Sequence, residues 1–442
     1  MRRRCRRDAH SKSFPRYHRV AMDQRRYRPL GPIALLALGI NGIVGVGIFF
    51  IPSTVSSYIP GVWGASVYAL TTLFCIPIAL CFSRLGPIFD EDGGPYVFAR
   101  AAFGPDAAFM VGWLTFSSAV LSTSAVIRGL SEAICTSYLT ADAQRMVATA
   151  TVLVLSAIVF GGLRITAWAW TTMTVAKLAP LLALLVVWMA APVAHHASFS
   201  LSDANVQPST LLRSGLIVLF SLQGFEIIAV PASSVRSRPF MATATILSLS
   251  FAGVLYFGLH LACVQAIPEL HASKAPLVEA ARALGGPCLA GTVMVGTSIS
   301  ALGIALGMIA MSPRYLSALG RSDGLGTWFG VTNERGVPRR ALILTSCLVL
   351  LFVQVGRLEQ LFAMSSIAVL AQYGSTSASL LWMGAKGQWG LGRKDLVVGV
   401  VALAASLVVL TGATWQETFR AVALLALGWL IKFAVSMGRR KP

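Results

Sequence analysis

Apolar residues run along this chain in long blocks, separated by short clusters of Gly, Pro, Arg and Asp. Blocks of about 18 or more apolar residues are long enough to cross a bilayer as helices. They predict about twelve spans, near residues 31–57, 63–83, 105–134, 145–163, 167–192, 211–235, 241–266, 287–313, 340–355, 360–384, 395–412 and 418–437. The first block differs from the rest. Between residues 39 and 52 it carries Gly39, Gly42, Gly45 and Gly47 and then ends at Pro52. Each glycine costs a helix interior about 1 kcal/mol relative to alanine, so the helix is expected to stop there. At membrane depth, backbone that leaves a helix must be wrapped by protein or line a cavity. This stretch is therefore expected to form half of a binding site.

Composition agrees with a polytopic, all-α membrane protein: the 442 residues are 56% hydrophobic and 12% charged. The formal charge of +19 invites a nucleic-acid reading, which the distribution of the charge rejects. With the N-terminus inside, Lys and Arg favour the inner loops and tails over the outer loops by roughly four to one, the positive-inside bias. This predicts a multi-pass protein of the cell (inner) membrane with both termini cytoplasmic, a lipid partner and no nucleic acid. Residues 1–29 are Arg-rich and lack apolar periodicity, as expected of a disordered basic tail; Met22 is an alternative start. Cys5, Cys75, Cys81, Cys135, Cys263, Cys288 and Cys347 show no CxxC spacing and read as small core residues. The six histidines, His195-His196 included, do not cluster with acids at depth. No metal and no cofactor is expected, and the motifs of hydrolytic membrane enzymes are missing.

Five strings, taken in order, carry a resemblance. They are Gly45-Val-Gly-Ile-Phe49; Gly93-Gly-Pro-Tyr96 with Ala99-Arg-Ala-Ala-Phe-Gly-Pro105; Phe220-Ser-Leu-Gln-Gly-Phe-Glu226; Ser312-Pro-Arg-Tyr-Leu-Ser-Ala-Leu-Gly-Arg-Ser-Asp-Gly324; and Gly336-Val-Pro338. Together they resemble the bacterial amino acid permeases of the amino acid–polyamine–organocation superfamily. The resemblance implies a LeuT-like fold of five helices plus five in inverted topology, with spans one and six broken side by side. The transporter core would cover residues 30–386, with repeats at about 30–192 and 211–386. Residues 387–442 would add two accessory helices and a tail. One departure stands out. Where the family has acidic residues after its sixth-span string, this chain has Val230-Pro-Ala-Ser-Ser-Val-Arg-Ser-Arg-Pro239.

A broken helix offers amides to an anion and carbonyls to a cation, and an α-amino acid carries both charges. The amides of Val44, Gly45, Val46, Gly47 and Ile48 are the candidates for the carboxylate. Carbonyls of Ile43, Phe220, Ser221 and Gln223, beside the gap at Gly224, are candidates for the ammonium, and Phe220 resembles the family's substrate-covering aromatic. The competing reading is that the glycines only let helices pack closely. Lys177, inside span five, must face protein or water. It resembles a lysine that in some relatives stands where a sodium ion would sit, propping the first helix or linking transport to protons; snorkelling to the interface is the alternative. Glu226 is a gate or proton-carrier candidate, with a structural carboxyl bonded to backbone as the alternative. Thr115, Ser118 and Ser122 share a face of span three, and Ser298, Ser365 and Ser366 fall in spans eight and ten, all without an assigned role. The expected function is secondary transport of small or apolar neutral amino acids by alternating access, as proton-coupled symport or exchange. A cationic amino acid or polyamine exchanger is the alternative, and a membrane sensor or membrane enzyme the alternative of another class.

Overall fold

The computed structural model describes residues 30–45, 47–134, 141–191, 207–321, 325, 327–356 and 358–439. The basic tail with His10 and His18, Cys5, Val46, Cys135 and His195-His196 lie outside these residues, as do the side chains of Glu132 and Ser366. Among the described residues the regular elements are helices. They are α1 (Pro32–Ile43), α2 (Gly47–Tyr58), α3 (Trp63–Leu85), α4 (Pro95–Phe103), α5 (Pro105–Ile134), α6 (Ala141–Phe160) and α7 (Leu163–Ala190). Then follow α8 (Pro208–Leu222), α9 (Arg238–Ala266), α10 (Pro276–Arg321), α11 (Arg339–Val355), α12 (Leu358–Ala385), α13 (Arg393–Leu410) and α14 (Trp415–Arg439). Eight candidate spans among the described residues are long and apolar enough to cross a membrane. One of them is the α1–α2 pair, and α8 and α11 are shorter, at 15 and 17 residues.

Both expected interruptions are present. The first apolar block stops at Ile43 and resumes at Gly47, with Val44 extended between them. The sixth stops at Leu222; Gln223 is extended, Gly224 sits at φ 119°, and the chain continues in 3-10 turns at Phe225–Ala229 and Ala232–Ser234. The two breaks lie against each other. A Cβ on Gly42 would come within 2.8 Å of the Gly224 carbonyl oxygen, and one on Gly224 would overlap the Gly42 carbonyl. Farther along, a Cβ on Gly47 would come within 2.9 Å of Ser221 Cβ. Around this pair, α3 packs on α9, α5 on α10 and α12, and α7 on α1 and α10. The α14 helix lies at the margin, held by a bond from Trp113 Nε1 to the Leu424 carbonyl (3.0 Å).

Tyr96 and Phe98 of α4 are buried in the protein core, Phe98 packing on Phe82 and Phe89. Two details correct the sequence reading. Span eight does not end near residue 313: α10 continues through Pro313 to Arg321, since Arg314, Tyr315, Leu316 and Leu319 are all buried and packing carries the extra turns. Of the cysteines, Cys75, Cys81 and Cys263 are core residues, whereas Cys288 and Cys347 lie exposed on helix surfaces.

Candidate functional site

The end of α1 is built to offer carbonyls. A helix leaves its last four carbonyl oxygens without intrahelical donors and carries partial negative charge there. At this end the donors come from elsewhere in the chain. Lys177 Nζ, fully buried on α7, donates to the carbonyls of Asn41 (3.0 Å) and Val44. Ser300 Oγ of α10 donates to the Val44 carbonyl (3.2 Å), and Tyr256 OH of α9 to that of Ile43 (2.9 Å). One turn before Lys177, Thr174 Oγ1 reaches the Ala37 carbonyl at 3.2 Å. Lys177 is therefore not snorkelling: its ammonium is enclosed and bonded to the interrupted helix.

The break after α8 has the opposite character. Gly224 begins a new turn, so its N–H has no helical acceptor behind it. That N–H donates to Glu226 Oε2 (2.8 Å), which also accepts from Tyr373 OH on α12 (2.8 Å). The Tyr373 ring stacks on Phe225 at 5.2 Å between centroids. Gly224 alone can supply this turn, because a φ of 119° is a conformation that side chains rarely allow.

The predicted site residues divide accordingly. Gln223, Gly224 and Glu226 line a cavity beside the breaks, together with Asn41, Gly42, Thr115 and Ile304 among others. Lys177 does not line this cavity and is bonded to the last carbonyls of α1. Gly47 and Ile48 open the first turn of α2, where N–H groups lack intrahelical partners. Ser221 packs on Gly47, and Phe220 is half-buried beside it. Ile304 stands between the cavity and Gly45, since a Cβ on Gly45 would overlap its Cδ1. One candidate must be corrected: the Val44 amide is not available to a carboxylate. It donates to the Ile40 carbonyl (2.8 Å) and closes α1.

Several groups escaped the sequence reading. Asn41 donates through Nδ2 to the Gly303 carbonyl (2.6 Å) in a groove of α10 made by Gly303 and Gly307. Tyr256, Ser300 and Tyr373 also went unnoticed. A polar residue at membrane depth is costly and usually functional, so Asn41 and Gln372 carried a usable signal. The serines of spans three and ten meet: Ser118 Oγ donates to the Ser365 carbonyl (3.0 Å). At the end of the bundle holding Leu30, the altered segment after span six is tied down. Leu30 N donates to the Ser234 carbonyl (2.7 Å), and Asp92 accepts from Ser233 N and Oγ while pairing with buried Arg314.

A family model described as amino acid permease matches residues 30–431. Among curated proteins, the chain is 25% identical to an uncharacterized transporter of Mycobacterium tuberculosis, over 91% of this chain and 90% of that protein. It is 23% identical to the cationic amino acid transporter 4 of Mus musculus, over 82% of this chain and 60% of that protein. It is also 23% identical to the arginine/ornithine antiporter ArcD2 of Lactococcus lactis, over 93% and 90% of the two chains.

Proposed function

The chain belongs to the amino acid permease family, a family of membrane transporters rather than enzymes, and from that premise we propose a secondary transporter of small neutral amino acids. It works by alternating access, as proton-coupled symport or exchange, in a cell membrane with both termini cytoplasmic. Twelve spans would be arranged as two inverted five-helix repeats over residues 30–386, with α13 and α14 as accessory helices. The apposition of the two breaks at Gly42 and Gly224 carries this reading. Irregular backbone survives at membrane depth where it serves a ligand.

In this mechanism the amides of Gly45, Gly47 and Ile48, at the positive end of α2, hold the substrate carboxylate. The ammonium lies against the carbonyls of Phe220, Ser221 and Gln223 and the second lone pair of the Ile43 oxygen, whose first is used by Tyr256. Lys177 keeps α1 in register with α7 while α2 and α8 move, and Glu226 joins the second break to α12 as a gate. The names of two relatives favour a second reading, a cationic substrate. It is the weaker one, because a buried cation needs a partner. Among the described lining residues of the cavity, Glu226 is the only acid, and its Oε2 already accepts twice.

Counterflow of labelled amino acids in proteoliposomes tests the proposal. A neutral amino acid should exchange, and Gly45→Val, which forces a branched side chain into Ile304, should abolish exchange while the protein still reaches the membrane. Unchanged exchange in that variant removes the proposed site.

A further inference from the structure

Buried polar side-chain atoms without a hydrogen-bond partner occur at several places among the described residues, Tyr68, Trp170 and His260 included, but four of them converge on the cavity. Asn41 Oδ1, Thr115 Oγ1, Gln223 Oε1 and Gln372 Nε2 are all buried and have no hydrogen-bond partner. They come from four separate elements: α1, α5, the break after α8, and α12. Buried polar groups are bonded in the large majority of cases, and leaving one unmet costs about 1–3 kcal/mol. Four such atoms along one cavity describe a set of contacts waiting for something polar.

Their orientation is not an accident of helix chemistry. Helical Ser and Thr commonly turn back onto the carbonyl four residues earlier. Thr123 and Ser124 on the same helix do so, at 2.6 and 2.8 Å, and Thr115 does not. Asn41 is fixed by its Nδ2 bond to Gly303, which leaves Oδ1 as the spare acceptor. The set holds two acceptors, one donor and one hydroxyl that serves as either. None of the four is charged.

Resting on the transporter reading, we infer that these groups form the side-chain subsite of a polar, uncharged amino acid, one bearing a hydroxyl or a carboxamide. Such a side chain donates to Asn41 Oδ1 or Gln223 Oε1 and accepts from Gln372 Nε2 or the Thr115 hydroxyl. An apolar side chain leaves all four unmet, and a cationic one finds among the four only neutral acceptors. This narrows the neutral class away from its apolar members. A site built to bond a polar group discriminates strongly against analogues that lack it.

The test is competition in the counterflow assay, with serine, threonine, asparagine and glutamine set against alanine, valine, leucine and arginine. At least one of the polar four should compete better than valine or leucine by about tenfold or more. The near-isosteric variants Thr115→Val and Gln372→Leu should each shrink that preference by about fivefold, the worth of one buried hydrogen bond, without improving arginine. Wild-type discrimination needs no variant and so stands even if one fails to fold. Valine, leucine or arginine competing as well as the polar four overturns the inference and leaves the transporter reading intact. If no amino acid exchanges at all, the transporter reading falls and takes this inference with it.

Discussion

The two breaks sit side by side yet are stabilised by opposite means. At the first, a helix ends and its exposed carbonyls are met by donors from α7, α9 and α10: Lys177, Tyr256 and Ser300. At the second, a helical turn begins and its exposed N–H is met by a carboxyl two residues away, Glu226. The type of each partner follows the peptide dipoles, an amine donor at a C-terminal end and a carboxyl at an N-terminal one. The difference in distance matters as much. The first break is held wholly by donors 133 to 256 residues away, the second by a carboxyl two residues off and by Tyr373, 147 residues from that carboxyl. Bringing α7 to α1 thus fixes the first break to the scaffold, whereas the second carries a cap within its own turn and is tied to α12 through that same carboxyl.

The sharpest way to destroy the comparison is to push the breaks apart. Gly224→Ala puts a Cβ at φ 119° and into the Gly42 carbonyl. The backbone conformation alone costs about 1–3 kcal/mol, and the overlap meets main chain that cannot swing aside. Transport should be lost and the thermal midpoint should fall clearly. Gly42→Ala, whose Cβ would lie 2.8 Å from the Gly224 carbonyl oxygen, should do the same to a lesser degree. A Gly224→Ala protein with wild-type stability would mean the breaks are not packed as described.

Next in size is removal of each charged partner. Lys177→Met strips a donor from two carbonyls, and an unmet buried group costs about 1–3 kcal/mol. Uptake should drop more than about tenfold, with Tyr256 and Ser300 holding what remains of the cap. Glu226→Ala leaves Gly224 N–H and Tyr373 OH without their acceptor, at a similar cost. The two should differ in rescue. Glu226→Gln keeps an oxygen that accepts both bonds and should recover stability. No uncharged residue reproduces an ammonium spanning two carbonyls. Initial rates and thermal unfolding of purified protein read both, and equal tolerance of Lys177→Met and Glu226→Gln would erase the asymmetry.

How much of this the sequence discloses follows the same division. The first break is legible because glycines crowd it, and the competing close-packing reading holds there too: Gly45 packs on Ile304 and Gly47 on Ser221. Gly39 packs on Ser248 and Ile228, and Gly42 on Gly224. Glu226 is legible because its partner Gly224 is two residues away. The donors to the first break are not, since no periodicity in α7, α9 or α10 says which carbonyl Lys177, Tyr256 or Ser300 will meet. Placing Lys177 at the first helix required the resemblance. Val44 shows the limit in the other direction. Its position marks the break, but whether its amide closes α1 or faces a ligand depends on one backbone turn that composition does not encode. Asn41 and Gln372 were visible as polar residues in apolar blocks and still lacked a role until the cavity joined them.

The smallest effects come from two tyrosines, and they bear on the charge of the second break. Tyr256→Phe removes one neutral bond from the Ile43 carbonyl and keeps the ring that packs edge-on against Tyr68 at 6.3 Å. A neutral hydrogen bond is worth about 1 kcal/mol net, so stability should fall by about that amount and uptake by about fivefold. Tyr373→Phe removes a bond of similar length, 2.8 Å, from Glu226 Oε2 while leaving the ring stacked on Phe225. Bonds to charged groups run to about 1.5–3 kcal/mol. If the second break is capped by an ionised carboxylate, Tyr373→Phe must cost more than Tyr256→Phe, and the gap should vanish in a Glu226→Gln background. Equal costs for the two tyrosines, measured by chemical or thermal unfolding in the same detergent, would mean that Glu226 is bonded as a neutral acid. The pairing of opposite charges with opposite helix ends would then be lost at the second break and kept at the first.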